Sequence, residues 1–157
     1  MKQVISEIQD PVEIGGIKIN DAGEISRCAP DLPISFGFAW RGMTFDGEVA
    51  QANGALILRI STDVATVPFS AENTDRRQQL LSLLKASEAG PRRASIALSP
   101  NNRLVLLRDI ELPRDAGLTA TSLVSHAAIA VLESAPYLDL MAEQGVEPPR
   151  AAQGLSN

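Results

Sequence analysis

Apolar and polar positions alternate with a period of two through much of this chain and shift to helical spacing twice. Between Ala55 and Gln144 the pattern predicts strand, strand, helix, strand, strand, helix. Upstream, Val12, Ile14, Ile17 and Ile19 suggest a short extended stretch, with Gly15-Gly16 as a bend and Asp21-Ala22-Gly23 as a turn. Met1 to Asp10 is ambiguous, because Val4, Ile5 and Ile8 share helical spacing while Pro11 stops any helix. Pro30 and Pro33 bracket a connector unsuited to a central strand. Phe36, Phe38 and Trp40 then alternate, which points them to one face of a strand. Arg41-Gly42 reads as a turn, and Met43 to Phe45 resumes the apolar signal before Asp46-Gly47.

Asn53-Gly54 is a hairpin dipeptide, since both residues tolerate positive φ. Leu56, Leu58 and Ile60 alternate after it, Thr62-Asp63 reads as another turn, and Val64 to Phe69 as the next strand. A helix is predicted over Thr74–Ser87, capped by Asn73 or Thr74, with Leu80, Leu81 and Leu84 buried and Arg76, Arg77 and Gln79 solvated. Gly90-Pro91 ends it. Ala94, Ile96 and Leu98 alternate next, Ser99 to Asn102 turns the chain, and Arg103 to Leu112 returns. Arg108 falls in line with Leu104, Leu106, Ile110 and Leu112, so either a bulge resets the register or the arginine snorkels at the sheet margin. The last helix starts near Thr119 or Thr121, and Val124, Ala127, Ala128, Val131, Leu132, Ala135 and Leu138 trace its apolar face. Pro136 should kink or divide it, and Gly145 suits a C-terminal cap. The fold class that follows is α+β: a mostly antiparallel, twisted sheet with helices packed mainly on one face. Residues 1–145 form one domain, and 146–157 (VEPPRAAQGLSN) read as a disordered tail.

Composition narrows the functional classes more than it names one. A chain of 157 residues with 45% hydrophobic content can bury a core without staples. Net charge of −5 without a dense Lys/Arg run argues against nucleic acid as a partner. No segment approaches the roughly 20 apolar residues of a membrane span. The start, MKQVISEIQD, lacks the apolar run of a signal peptide, so a cytoplasmic location is expected. The lone Cys28 excludes an intramolecular disulfide and a cysteine-based zinc site.

No pattern here carries catalysis. His126 is the sole histidine; Ser122 and Ser125 beside it make no activated nucleophile without an orienting carboxylate, so a structural role is the better reading. Cys28 has no CxxC partner and no basic run to activate it. Asp109 and Glu111 share a strand face, and a same-face acid pair usually marks solvated surface rather than a glycosidase-like site. Gly15-Gly16 lacks the spacing of a phosphate-binding loop. No cofactor, metal ligand or catalytic residue is assigned. The stripe of Phe36, Phe38 and Trp40, with Met43 and Phe45 following, is either core or a partner-binding face, because aromatics concentrate at dry interfaces.

The segment ALILRISTDVATVPFSAENTDRRQQLLSLLKAS, then RRASIALSPNNRLVLLRDIELP and a long final helix, resembles the class I type III secretion chaperones. It is similar also to the bacterial YbjN-type proteins that share their fold. The return strand after Ser99-Pro100-Asn101-Asn102 and the Ile110-Glu111-Leu112-Pro113 exit into the last helix carry the likeness, over about residues 55–144. A substantial opening helix is the family feature this chain departs from, given Pro11. The resemblance implies a homodimer and a non-catalytic, chaperone-like module that captures an extended segment of a partner protein. The alternative is a small-ligand protein or enzyme using His126 with a carboxylate.

Overall fold

A hairpin of two short strands, β1 (Gly16–Ile19) and β2 (Ile25–Cys28), precedes the main body. In the computed structural model, which describes residues 14–88, 94–113 and 118–149, that body is a five-stranded antiparallel sheet with two helices. Its strands are β3 (Ile34–Trp40), β4 (Met43–Ala52), β5 (Ala55–Thr66), β6 (Ser95–Leu98) and β7 (Arg103–Leu112), in the order β3-β4-β5-β7-β6. The helices are α1 (Thr74–Glu88) and α2 (Ala120–Glu143). The expectations for residues 1–13 and for a stop at Gly90-Pro91 lie outside the described residues.

Strand alternation decides which face is buried. Phe45, Val49, Leu58, Ile60, Leu104 and Leu106 join one core with Leu80 and Leu83 of α1 and Ala127, Ala130 and Val131 of α2. Both helices therefore cover the same face of the sheet, and the fold is α+β as the alternation predicts. The opposite face carries Ser35, Asp46, Glu48, Arg59, Ser61 and Asp109 in register across β3, β4, β5 and β7. This is the one-sided burial that antiparallel sheets permit.

The turns follow local chemistry. Arg41 and Gly42 (φ 50° and 76°) and Asn53 and Gly54 (φ 50° and 76°) form two-residue turns whose positive φ matches the twist of the flanking strands. Asn73 caps α1, its Oδ1 accepting the Arg76 N–H at 2.9 Å. Thr119, not Thr121, caps α2, its hydroxyl oxygen accepting the Ser122 N–H at 3.1 Å. At the other end Gly145 (φ 69°) donates to Ala142 O and Val146 donates to Met141 O, which satisfies two orphan carbonyls.

Several expectations are corrected. Thr62-Asp63 is no turn: both residues pair with β7 inside a twelve-residue β5, and the Thr62 hydroxyl donates to Thr44 O at 2.8 Å. The register shifts just beyond, between Asp63 and Ala65, so that consecutive Val64 and Ala65 are both buried. β4 likewise runs through Asp46-Gly47. The hairpin strand β2 has no counterpart in the expected elements. In α1 the fully buried leucines are Leu80 and Leu83, with Leu81 and Leu84 half-buried.

Arg76, Arg77 and Gln79 are not simply solvated. Arg76 donates to Gly145 O, Gln79 to Gln144 O and Arg77 to Pro68 O, which ties α1 to the end of α2 and to the exit of β5. Val146 is buried, so the packed chain runs past Gly145 into the segment expected to be tail. α2 runs without interruption through Pro136, which does not divide it. Arg108 needs no bulge: β5 and β7 stay in register around it, and the guanidinium reaches Glu133 of α2 at 2.8 Å.

Candidate functional site

α2 packs chiefly over β5 and β7, in the second half of the sheet. That placement leaves the inward face of the edge strand β3 only partly covered. The gap is an apolar groove of about 570 Å³, floored by Phe36, Phe38 and Trp40 and walled by Leu123, Val124, Ala127, Ala128, Val131 and Leu132 of α2. Ala39, on the outer edge of β3, completes it. All of its lining side chains are apolar.

The aromatics divide by depth. Phe45 is 1% exposed and Met43 5%, so both are core, and neither offers a partner a surface in this protomer. Phe36, Phe38 and Trp40 are half-buried and reach the groove. Phe45 supports them: it stacks on Phe38 at 5.3 Å between centroids and meets Trp40 edge-on at 6.2 Å. Arg41, paired with Asp139 at 2.9 Å, lies 4.4 Å from the Trp40 ring centroid. Gly47 gives the Phe36 ring its place: a Cβ there would fall 2.3 Å from the ring's Cζ, so any larger residue would have to displace the ring.

Along the α2 wall the apolar band is wider than the core needs. Ala127, Ala130 and Val131 face inward, while Val124, Ala128 and Leu132, four residues apart, form a second stripe on the flank. Val124 and Leu132 remain 68% and 65% exposed. The sequence pattern assigns all of these except Ala130 to one apolar face, and does not separate the flank stripe from the core stripe, because that division and the pairing with β3 depend on where α2 crosses the sheet.

The outer margin of β3 completes the site. Its two-residue turn makes Trp40 and Met43 the hydrogen-bonded closing pair, so Ser35, Gly37 and Ala39 direct their N–H and C=O outward. Among the described residues no strand pairs with that margin. The groove thus combines an unpaired strand edge with an apolar trough on the side-chain level, the geometry that an added strand uses.

The other candidates are weaker. On the open sheet face a shallow basin of about 530 Å³ is bounded by Ser35, Asp46, Glu48, Arg59 and Ser61. Arg59 is already engaged, gripping Asp109 with two bonds of 2.8 Å. Those bonds hold the Asp109 carboxyl below its ordinary range against the opposing effect of partial burial, and raise the Arg59 guanidinium. Glu111 is on the same strand face but outside this pair. His126 sits half-buried with Nδ1 2.7 Å from the Ser122 carbonyl oxygen and 3.4 Å from the Ser122 hydroxyl oxygen, both on its own helix. Cys28 lies at the end of β2 and does not line the groove. Among the described residues no group of His, Cys, Asp and Glu side chains is placed to hold a metal, and no helix is long and apolar enough to cross a membrane.

Neither a family model nor a curated protein matches this chain.

Proposed function

We propose that this protein is a non-catalytic binding module whose groove takes up an extended, apolar segment of a partner protein. The observation that carries the reading is the open trough between β3 and α2 beside an unpaired strand edge. An incoming strand would hydrogen-bond to Ser35, Gly37 and Ala39 while every second side chain enters the trough between the aromatics and Val124, Ala128 and Leu132. The resemblance to class I type III secretion chaperones and YbjN-type proteins supports the same reading, and with it a homodimer working in the cytoplasm. The groove's volume also suits a small apolar ligand. Its lining offers no convergent polar groups to orient one, and this favours the peptide.

Trp40 is the only tryptophan and lies in the groove, so its emission reports occupancy directly. Titration with a peptide of alternating Val/Leu and Ser should shift Trp40 emission, with affinity in the micromolar range. The same peptide with alternate backbone nitrogens methylated should bind at least about tenfold more weakly, a loss of roughly 1.4 kcal/mol. Equal binding of the two would replace strand addition by a purely apolar pocket.

A further inference from the structure

The hairpin β1–β2 presents an apolar face that its own copy leaves bare. Ile17, Ile19 and Ile25 share that face through the pairs Ile17–Arg27 and Ile19–Ile25, and they stand 69–71% exposed. A two-stranded hairpin is marginal by itself in water, and three adjacent isoleucines in the open invite a cover. The groove needs the same thing: a strand with a free edge and apolar side chains at two-residue spacing. Ile17 and Ile19 on β1 have the spacing of Phe36 and Phe38 on β3, and the edges of both strands are unpaired among the described residues.

We infer that the hairpin is an exchanged arm: in a dimer of this chain, β1–β2 of each copy lies along β3 of the other, with its isoleucines in the partner's groove. Both unsatisfied surfaces occur once on every copy, so a two-fold dimer uses each of them and closes. The arm is held at two points. Ile14 N–H donates to Leu118 O at 2.7 Å, just before α2, and β2 leads into β3 through Ala29–Pro33. Pro30 and Pro33 stiffen that connector, and in this structure the arm stands off its own groove, whose described lining includes none of its residues. A short, proline-stiffened hinge beside a free edge favours exchange between copies. The inference rests on the reading that the groove accepts an added strand, and it identifies the arm as a resident occupant that a partner's segment must displace.

Two exposed pairs of residues allow a test in the full chain. Wild-type protein should sediment at about twice the 16.7 kDa chain mass. Ile17→Asp/Ile19→Asp, which removes the arm's apolar face, and Val124→Glu/Leu132→Glu, which spoils the groove, should each weaken self-association at least about tenfold. An equimolar mixture should recover dimers, because one intact arm then meets one intact groove. Ile17→Ser/Ile19→Ser repeats the arm test without added charge. A monomeric wild type, a dimer insensitive to the arm variants, or a mixture that stays monomeric would each overturn arm exchange; the last result would point to α2 packing on its own copy. The peptide titration on the arm variant separates the two ideas. Tighter peptide binding than wild type supports both, whereas an arm variant that refuses peptide refutes the groove reading independently of the oligomer.

Discussion

At the scale of single residues, depth rather than aromatic character separates framework from contact surface. Phe45 and Trp40 belong to one cluster, but only Phe45 is fully buried. Phe45→Ala should therefore cost about 3–5 kcal/mol in a denaturant melt, the usual range for a buried aromatic. Trp40→Ala should cost roughly half as much and should weaken peptide binding by about 2 kcal/mol, as at an interface hot spot. Equal stability losses for the two would mean that Trp40 is core and the groove is closed in solution. The alternation of Phe36, Phe38 and Trp40 places them on one face from sequence alone, but nothing in that alternation tells an edge strand from a central one. Asp109 shows a second limit. Its strand face is readable, but its grip by Arg59 depends on the cross-strand register. Because that grip lowers the Asp109 pKa, its stabilisation is complete above the unfolded carboxyl's value near 4 and is lost as pH falls through the folded value. Both side chains are about half exposed, so Asp109→Asn should cost no more than about 1 kcal/mol at pH 7 and progressively less as pH falls through the folded value.

At the scale of elements, most strands and both helices were legible because their signals are local. Asn53-Gly54 and Ser99 to Asn102 specify turns by their own chemistry, and Thr119 and Gly145 mark the ends of α2. Gly145→Ala meets no steric obstacle but must hold φ at +69°, so it should lower the melting free energy by about 1 kcal/mol. What escaped local reading depends on tertiary pairing. Thr62-Asp63 resembles a turn in isolation and becomes strand only because β7 supplies partners on one side and Thr44 accepts the Thr62 hydroxyl. β2 is short and weakly patterned, and gains its identity from β1. Arg108 looks like a fault in an apolar stripe until α2 brings Glu133 to it, both side chains only 22% and 24% exposed. Removing one partner there leaves a charge in a half-buried site. Glu133→Ala should thus cost more than the double change Arg108→Leu/Glu133→Leu, which exchanges the pair for apolar packing.

At the scale of the whole molecule, the proposed function depends on an offset: α2 packs chiefly over β5 and β7, and β3 keeps its aromatics only half-buried and, among the described residues, its edge unpaired. An exposed apolar edge is a hazard that proteins ordinarily blunt with charge or cover. Here no strand among the described residues covers that edge, and the Arg41–Asp139 ion pair lies beside Trp40 at its turn end. Occupation of that edge by an added strand is the central claim, and amide hydrogen exchange at β3 tests it most directly. In the Ile17→Asp/Ile19→Asp variant, whose arm leaves the groove empty, a bound alternating apolar peptide should slow exchange of the Ser35, Gly37 and Ala39 amides at least about tenfold relative to the same variant free, while Arg59 and Ser61 on the open face of β5 stay unchanged. Peptide binding that leaves the three β3 amides as fast as in the free variant would contradict the account.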